Sequence, residues 1–151
     1  MATQADVRRI AMSLPETEEV EGRFAFGVRN KGLVKQYAWV WLERITPKKP
    51  RVPNKKVLAV RVANMRDREM MVAVEPSKFF TESHYNGFPA VLVRLDAVTV
   101  AELKPLLAEA WRCQAPRELT DAASGFEARR PAPRARKVRK AHDADYANGA
   151  D

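Results

Sequence analysis

The most concentrated chemical feature of this sequence is a basic segment, residues 46–56, that contains no acidic residue. Its five cations are Lys48, Lys49, Arg51, Lys55 and Lys56. Cationic side chains spaced along one loop are suited to contact successive phosphates of a nucleic-acid backbone. The same composition is equally typical of a solubilising loop, so a phosphate-contacting wing and a solvated surface loop stand as alternatives of about equal weight.

A second basic site flanks the turn Asn30-Lys31-Gly32, whose residue types are those of a β-hairpin. No helix carries the side chains that read base edges, so the predicted partner is DNA, contacted through its phosphates without sequence specificity. The predicted nucleic-acid-binding residues are Lys31, Lys35, Lys48, Lys49, Arg51, Lys55 and Lys56.

Candidates for catalysis are few, and we predict neither a catalytic site nor a cofactor. The motifs HExxH, CxxC and GxSxG are absent, as is a phosphate-cradling glycine loop. A histidine beside a turn, such as His84, more often bonds a backbone carbonyl than acts as a general base. Catalysis by His84 would require a positioned carboxylate such as Glu82 or Asp96. Cys113 lies among apolar residues of a predicted helix, which indicates a buried thiol.

An acidic run contains Glu16, Glu18, Glu19 and Glu21. Carboxylates are ligands for hard cations, but carboxylates this close in sequence usually form a solvated turn. We therefore predict a turn here and no metal site.

Aromatic residues alternate along a predicted strand over residues 33–42. Tyr37, Trp39 and Trp41 share one face with Lys35 in a regular strand. Such a ladder can stack on bases, although it is more often sheet surface packed beneath a helix. An exposed ladder supports the alternative hypothesis, a protein-interaction or chaperone-like module with no nucleic-acid role.

Hydrophobic periodicity places these residues on helices and strands. Apolar residues spaced i, i+3, i+4, i+7 predict a first helix around residues 7–14, which Pro15 ends. Further strands are predicted at 24–28 and 57–62, whereas three prolines predict a loop over 46–56. A helix over 65–74 is expected to begin at the cap Asn64. Its predicted buried side consists of Met70, Met71 and Val74.

The segment 84–95 is the clearest turn-to-strand signal. Asn86-Gly87 favours a turn, and from residue 90 apolar residues alternate, with Val91 and Val93 on one face and Leu92 on the other. Thr99 and Glu102 then match a capping box for a helix that Pro116 ends. Pro105 within that helix predicts a kink or a frayed first turn.

Composition divides the chain of 151 residues into two parts. Residues 1–116 contain 19 Lys/Arg and 13 Asp/Glu, a net charge of +6, so the predicted domain itself is basic. We predict a domain over 1–119 and a basic, disordered tail over 120–151, in which residues 129–140 hold seven basic residues and no acidic one. A single cysteine, no signal peptide and no long apolar run predict a cytoplasmic protein without a membrane partner. The sequence carries no signal for oligomeric state.

Several of these segments together resemble the MmcQ/YjbR family of small bacterial proteins. The resemblance covers roughly residues 3–119. The segments that carry it are Leu14-Pro15-Glu16, the strand from Phe24 to Val28, Pro76-Ser77-Lys78-Phe79-Phe80-Thr81, the segment 84–95, Glu102-Leu103 and Ala110-Trp111.

The resemblance implies a two-layer α+β fold, an antiparallel sheet with helices packed against one face, similar to frataxin-like and secretion-chaperone-like proteins. Members of that family are often labelled DNA-binding because of a proposed double-wing arrangement of hairpins. On this chain the wings would be residues 29–35 and 48–56. Frataxin-like iron binding is not expected, because the necessary acidic ridge is absent.

Overall fold

The computed structural model describes residues 1–124, which contain six strands and four α-helices. The strands are β1 Thr17–Glu19, β2 Ala25–Asn30, β3 Leu33–Glu43, β4 Val52–Arg61, β5 Phe79–Phe80 and β6 Ala90–Arg94. The helices are α1 Gln4–Met12, α2 Met65–Val74, α3 Val100–Gln114 and α4 Arg117–Ser124. No helix in this part of the chain is long and apolar enough to cross a membrane.

The strands form one antiparallel sheet in the order β1-β2-β3-β4-β6-β5. The predicted fold class, an α+β protein with an antiparallel sheet and helices packed against it, is confirmed. The strand predicted from the segment 84–95 is β6, which is inserted between β4 and β5. Its apolar side chains are buried on both faces of the sheet, Val91 and Val93 in one core cluster and Ala90 and Leu92 in the other.

Helices α1 and α3 lie on one face of the sheet, which we call the helical face. They bury apolar side chains there against those of β2, β3, β4 and β6, including Val7, Phe26, Val60, Val93 and Leu107. The predicted capping box of α3 is confirmed, since Thr99 Oγ1 accepts the Glu102 N–H and Glu102 Oε1 accepts the Thr99 N–H. The first turn is therefore capped rather than frayed, and α3 continues beyond Pro105 to Gln114.

The opposite face is covered by a short segment instead of a long helix, and we call it the loop face. Residues 81–89, which include a 3-10 turn at Ser83–Tyr85, place Tyr85 and Phe88 over Trp39, Ala59 and Leu92. Trp39 Nε1 donates to the Tyr85 hydroxyl at 3.0 Å. A small second core therefore forms from aromatic rings whose polar atoms are bonded to each other.

The predicted buried side of α2 is wrong for Met70 and Val74, which are 59% and 69% exposed. Met71 is partly buried against the core of the helical face, together with Val72. The residue that α2 buries most fully is Arg68, whose Nη1 donates to the carbonyls of Tyr85 at 2.7 Å and Phe88 at 3.2 Å. This contact of a guanidinium with backbone carbonyls is one that hydrophobic periodicity does not reveal. The predicted cap Asn64 is confirmed by its bond to the Asp67 N–H.

The acidic run is only partly the predicted turn: Glu16 and Glu21 lie in turns, whereas Glu18 and Glu19 lie in a strand. Residues Thr17–Glu19 form β1, an edge strand paired with β2. Glu18 bonds Arg29 on β2, and Glu19 accepts two bonds from Arg8 on α1. The Arg8 guanidinium holds the pKa of Glu19 below its usual value. These carboxylates therefore neutralise arginines on neighbouring elements, and charged side chains are common on edge strands.

The predicted aromatic ladder is also wrong, because β3 carries a bulge. Phe26 pairs with Ala38 while the next residue, Gly27, pairs with Gln36, so Tyr37 is an extra residue in β3. Its side chain points to the helical face, where it is fully buried and its hydroxyl lies 3.0 Å from Thr17 Oγ1. Burial raises the pKa of Tyr37 to about 12.

Helix α3 ends before Pro116 as predicted, but α4 was not predicted. The boundary placed at residue 119 falls inside α4, and Leu119 packs partly buried against the core of the helical face. The segment 129–140 lies outside the described residues.

Candidate nucleic-acid interface

The basic segment 46–56 belongs to a two-stranded ribbon that extends from the sheet, and we call residues 41–56 the wing. Residues 41–43 of β3 pair with residues 52–54 of β4 around the loop 44–51. Strand β6 pairs only with Val57–Arg61, so among the described strands this part of β4 has β3 as its sole partner. The prediction of a loop over 46–56 is thus wrong from Val52 onward. Pro53 is tolerated because a single-sided edge does not require its missing N–H.

The wing carries four exposed lysines. Lys48 and Lys49 lie in the loop, whereas Lys55 and Lys56 lie where the β3–β4 pairing is interrupted between Asn54 and Leu58. Within the described part of the chain, none of these four ammonium groups has a hydrogen bond or an ion pair. Their charges are therefore not paired with a carboxylate of the described residues, as a phosphate-binding surface requires.

Two arginines hold the wing in shape. Arg44 Nη1 donates to the carbonyls of Pro47 at 3.2 Å and Lys49 at 2.9 Å, which closes the loop on itself. Arg51 Nη1 donates to the Leu42 carbonyl at 2.7 Å and lies 3.6 Å from Glu82 Oε2. Arg51, predicted as a phosphate contact, is thus half-buried and bonded across the ribbon. Arg44, two residues before the basic segment, was not among the predicted residues.

Glu82 connects the wing to the loop face. Its Oε2 accepts the indole N–H of Trp41 at 3.1 Å, on the same side as the contact with Arg51. Trp41 packs edge-to-face on Phe80, with the ring centroids 5.5 Å apart. One carboxylate therefore contacts β3 through Trp41 and the loop of the wing through Arg51, and no sequence motif indicated this role.

Lys31 and Lys35 do not join the wing. The hairpin turn between β2 and β3 is confirmed, with Lys31 and Gly32 at φ values of 55° and 84°. These lysines lie near the start of β3 and the wing lies at its end. Eleven residues of strand separate the two ends by about 35 Å. The structure thus forms two separate basic sites: Lys31, exposed, with Lys35, half-buried, at one end, and the wing at the other.

The predicted catalytic alternatives are not brought together. His84 is exposed on the 3-10 turn with its ring against Tyr85, at a centroid distance of 5.4 Å. Glu82 Oε1 accepts the backbone N–H of His84, so this carboxylate acts as a cap. Asp96 follows β6, at the other end of that strand from His84. Cys113 is only partly buried, contrary to prediction. Residues 1–124 contain no cluster of three or more metal-ligating side chains.

The surface needed by an interaction module is also missing from the described residues. Tyr37 and Trp39 are 0% and 3% exposed and lie on opposite faces of the sheet, and Trp41 is half-buried beside Phe80. An open aromatic face of the kind predicted from the sequence is therefore not present there.

Comparison with known proteins gives relatives without assigned functions. No protein-family model matches the chain. Uncharacterized protein Rv2570 of Mycobacterium tuberculosis (strain ATCC 25618 / H37Rv) is 35% identical over 123 residues, which cover 81% of this chain and 95% of the relative. Uncharacterized protein Mb2600 of Mycobacterium bovis matches with the same identity and coverage.

One solved structure has a similar fold. The crystal structure of Deinococcus radiodurans protein DR2400, described as a DUF419 domain, superposes with a TM-score of 0.52 at 20% sequence identity. The match covers 93% of this chain and 88% of that chain. At this identity the likeness concerns the fold alone.

Proposed function

We propose that this chain, which belongs to the same family as the mycobacterial proteins Rv2570 and Mb2600, binds duplex DNA without sequence specificity. The observation that supports the proposal is the wing. Its lysines Lys48, Lys49, Lys55 and Lys56 are exposed on a projecting ribbon, without a carboxylate partner among the described residues. Lysines of this kind release counterions from DNA when they contact phosphates, and this release supplies most of non-specific affinity.

The anchoring of the wing adds to this argument. The bonds of Arg44 within the loop and of Arg51 and Trp41 at its base fix the backbone that carries the lysines. A fixed backbone reduces the conformational entropy that binding would otherwise cost. The resemblance to the MmcQ/YjbR family, whose members are labelled DNA-binding, points in the same direction.

The other basic groups have secondary roles in this proposal. Lys35 lies six strand residues, about 20 Å, before the first residue of the wing, and Lys31 lies farther away, so both would contact a separate stretch of phosphates. Arg51 mainly positions the wing, because its guanidinium is already bonded to Leu42 and close to Glu82. The tail adds attraction through the seven basic residues of 129–140.

The test is a fluorescence-anisotropy titration of a labelled duplex at several salt concentrations with the full-length chain. Two wing variants, Lys48→Gln with Lys49→Gln and Lys55→Gln with Lys56→Gln, are compared with a control that replaces Arg66 and Lys104. All three remove two exposed positive charges, and the control residues lie on α2 and α3. Each wing pair should weaken binding to all sequences alike and lower the salt slope by about 2.

Two outcomes contradict the proposal. If the control weakens binding as much as the wing pairs, affinity follows net charge and the wing has no special role. If affinity of the native chain for duplex DNA barely changes with salt, phosphate contacts do not drive binding.

A further inference from the structure

A groove of about 430 Å³ lies on the helical side of the molecule, between the N-terminal half of α3 and the segment that leads from α2 into β5. Its floor is apolar and includes Pro105 and Leu106 of α3. The wing and the residues of the proposed DNA contact do not take part in it. A concave apolar surface with charged groups at its edge is the usual form of a binding site.

The rim of the groove is acidic, in a chain whose net charge is +8. Three carboxylates, Glu75, Glu102 and Glu109, line the groove together with one cation, Lys78. Lys78 Nζ bonds Glu102 at 2.6 Å and Glu75 at 2.9 Å, and Glu109 lies 3.9 Å from Arg112 Nε. These three carboxylates and two cations leave a net charge of −1 at the rim.

We propose that this groove is the docking site of the chain's own basic segment, residues 129–140. The segment contains seven basic residues and no acidic one, which complements the acidic rim. Its prolines and the aliphatic stems of its arginines supply apolar surface for the floor, because a long cationic side chain can bury its stem and keep its charge in water.

The length of the chain permits this contact. The described part of the chain stops at Ser124 in α4, five residues before the segment begins. Sixteen residues from position 124 to position 140 can span up to about 55 Å, whereas the whole of α3 is about 22 Å long. The segment can therefore return along α3 from its C-terminal end to the groove. Tethering to the same chain gives it an effective concentration in the millimolar range, so weak contacts suffice.

This inference goes beyond DNA binding and does not depend on it. Docking would pair the cations of residues 129–140 with the acidic rim and so withdraw them from any other anionic partner. The wing would stay accessible, because it lies on a different element of the fold. The lysines of the wing would thus be accessible at all times, whereas the cations of residues 129–140 would be accessible only when the segment leaves the groove.

The test uses paramagnetic relaxation in the full-length chain. Cys113 is replaced by Ser, Ala135 is replaced by Cys, and a nitroxide is attached at position 135. The expected result is a strong loss of amide signal for Leu106 and Glu109, compared with the reduced label. Replacement of Glu75 and Glu109 by Lys should restore these signals. Replacement of Glu16 and Glu21 by Lys, which makes the same charge change at exposed residues outside the groove, should not.

Three outcomes overturn the inference. Undiminished signals around the groove show that the segment does not dock there. Signals restored equally by the Glu16 and Glu21 control show an attraction that follows net charge only. If the loss persists in a mixture where the nitroxide and the observed isotope label are on different molecules, the occupant is the tail of a second copy.

Discussion

The two faces of the sheet are covered by different means. On the helical face, α1 and α3 bury Leu103, Leu107 and Trp111 against β-branched side chains of the strands. On the loop face, residues 81–89 cover the sheet with aromatic side chains and main chain, and hydrogen bonds hold this segment in place. Trp39 bonds Tyr85, and Arg68 bonds two carbonyls of that segment.

The two faces should therefore lose stability in response to different kinds of substitution. Burial of apolar area is non-directional, so the helical face depends mainly on volume and on the absence of cavities. A buried hydrogen bond is directional, and loss of one partner leaves the other with its full desolvation penalty. The loop face should therefore be sensitive to the removal of single polar atoms, and the helical face to the removal of methyl groups.

The largest expected effect is a cavity on the helical face. Leu107→Ala removes a fully buried side chain of α3 and should lower the free energy of unfolding by about 2–5 kcal/mol. Leu33→Ala is the control, because Leu33 is 61% exposed and its loss should change stability by less than about 0.5 kcal/mol. Urea unfolding followed by tryptophan fluorescence measures both. Equal effects of the two variants would show that this face does not depend on packed volume.

The helical face was largely predictable from the sequence. The spacing of Val7 and Ile10 predicted α1. The alternation of Val91 and Val93 predicted the buried face of β6, and the capping box of Thr99 and Glu102 predicted the start of α3. Each of these signals is local, because periodicity and capping depend on residues within a few positions of each other.

The loop face was not predictable, because its contacts join residues far apart in sequence. Arg68 bonds carbonyls 17 and 20 positions away, and Glu82 bonds Trp41 over 41 positions. The helical face has one such exception, Tyr37, because strand alternation alone cannot locate the bulge that places it there. For the candidate interface, composition located the basic segment, but only the strand pairing showed that residues 52–54 join residues 41–43 in a ribbon.

The second prediction removes the guanidinium that fixes the loop face. Arg68→Met keeps much of the length of the side chain but leaves the carbonyls of Tyr85 and Phe88 without these donors. Stability should fall by about 2 kcal/mol, as for loss of charge-assisted buried bonds. Arg66→Met is the matched control, because Arg66 is exposed on the same helix and its replacement should be nearly neutral. Chemical denaturation compares the two variants.

A contrary result is informative here, because replacing a buried charge by an apolar group is sometimes stabilising. Arg68 Nε is buried without a hydrogen-bond partner among the described residues, so part of the guanidinium is costly to bury. If Arg68→Met matched or exceeded the stability of the native chain, apolar packing would hold the loop face as it holds the helical face.

The smallest expected effect concerns the hydroxyl that the bulge places within the helical face. The folded state raises the pKa of Tyr37 to about 12 from 10.0. Between these values the unfolded chain loses the phenolic proton while the folded chain keeps it, so this group's contribution to stability falls as pH rises. At pH 11 the loss attributable to Tyr37 should be about 1.4 kcal/mol.

Tyr37→Phe isolates this contribution, because the variant has no proton to lose at position 37. Its stability at pH 9 should be lower than that of the native chain, since the contact with Thr17 is lost. Between pH 9 and pH 11, however, urea denaturation should show a smaller decrease for the variant than for the native chain. Equal decreases would mean that the phenol reaches solvent as easily in the folded chain as in the unfolded one. The bulge would then expose Tyr37 to water. The helical face would no longer differ from the loop face in depending only on the packed volume of buried side chains.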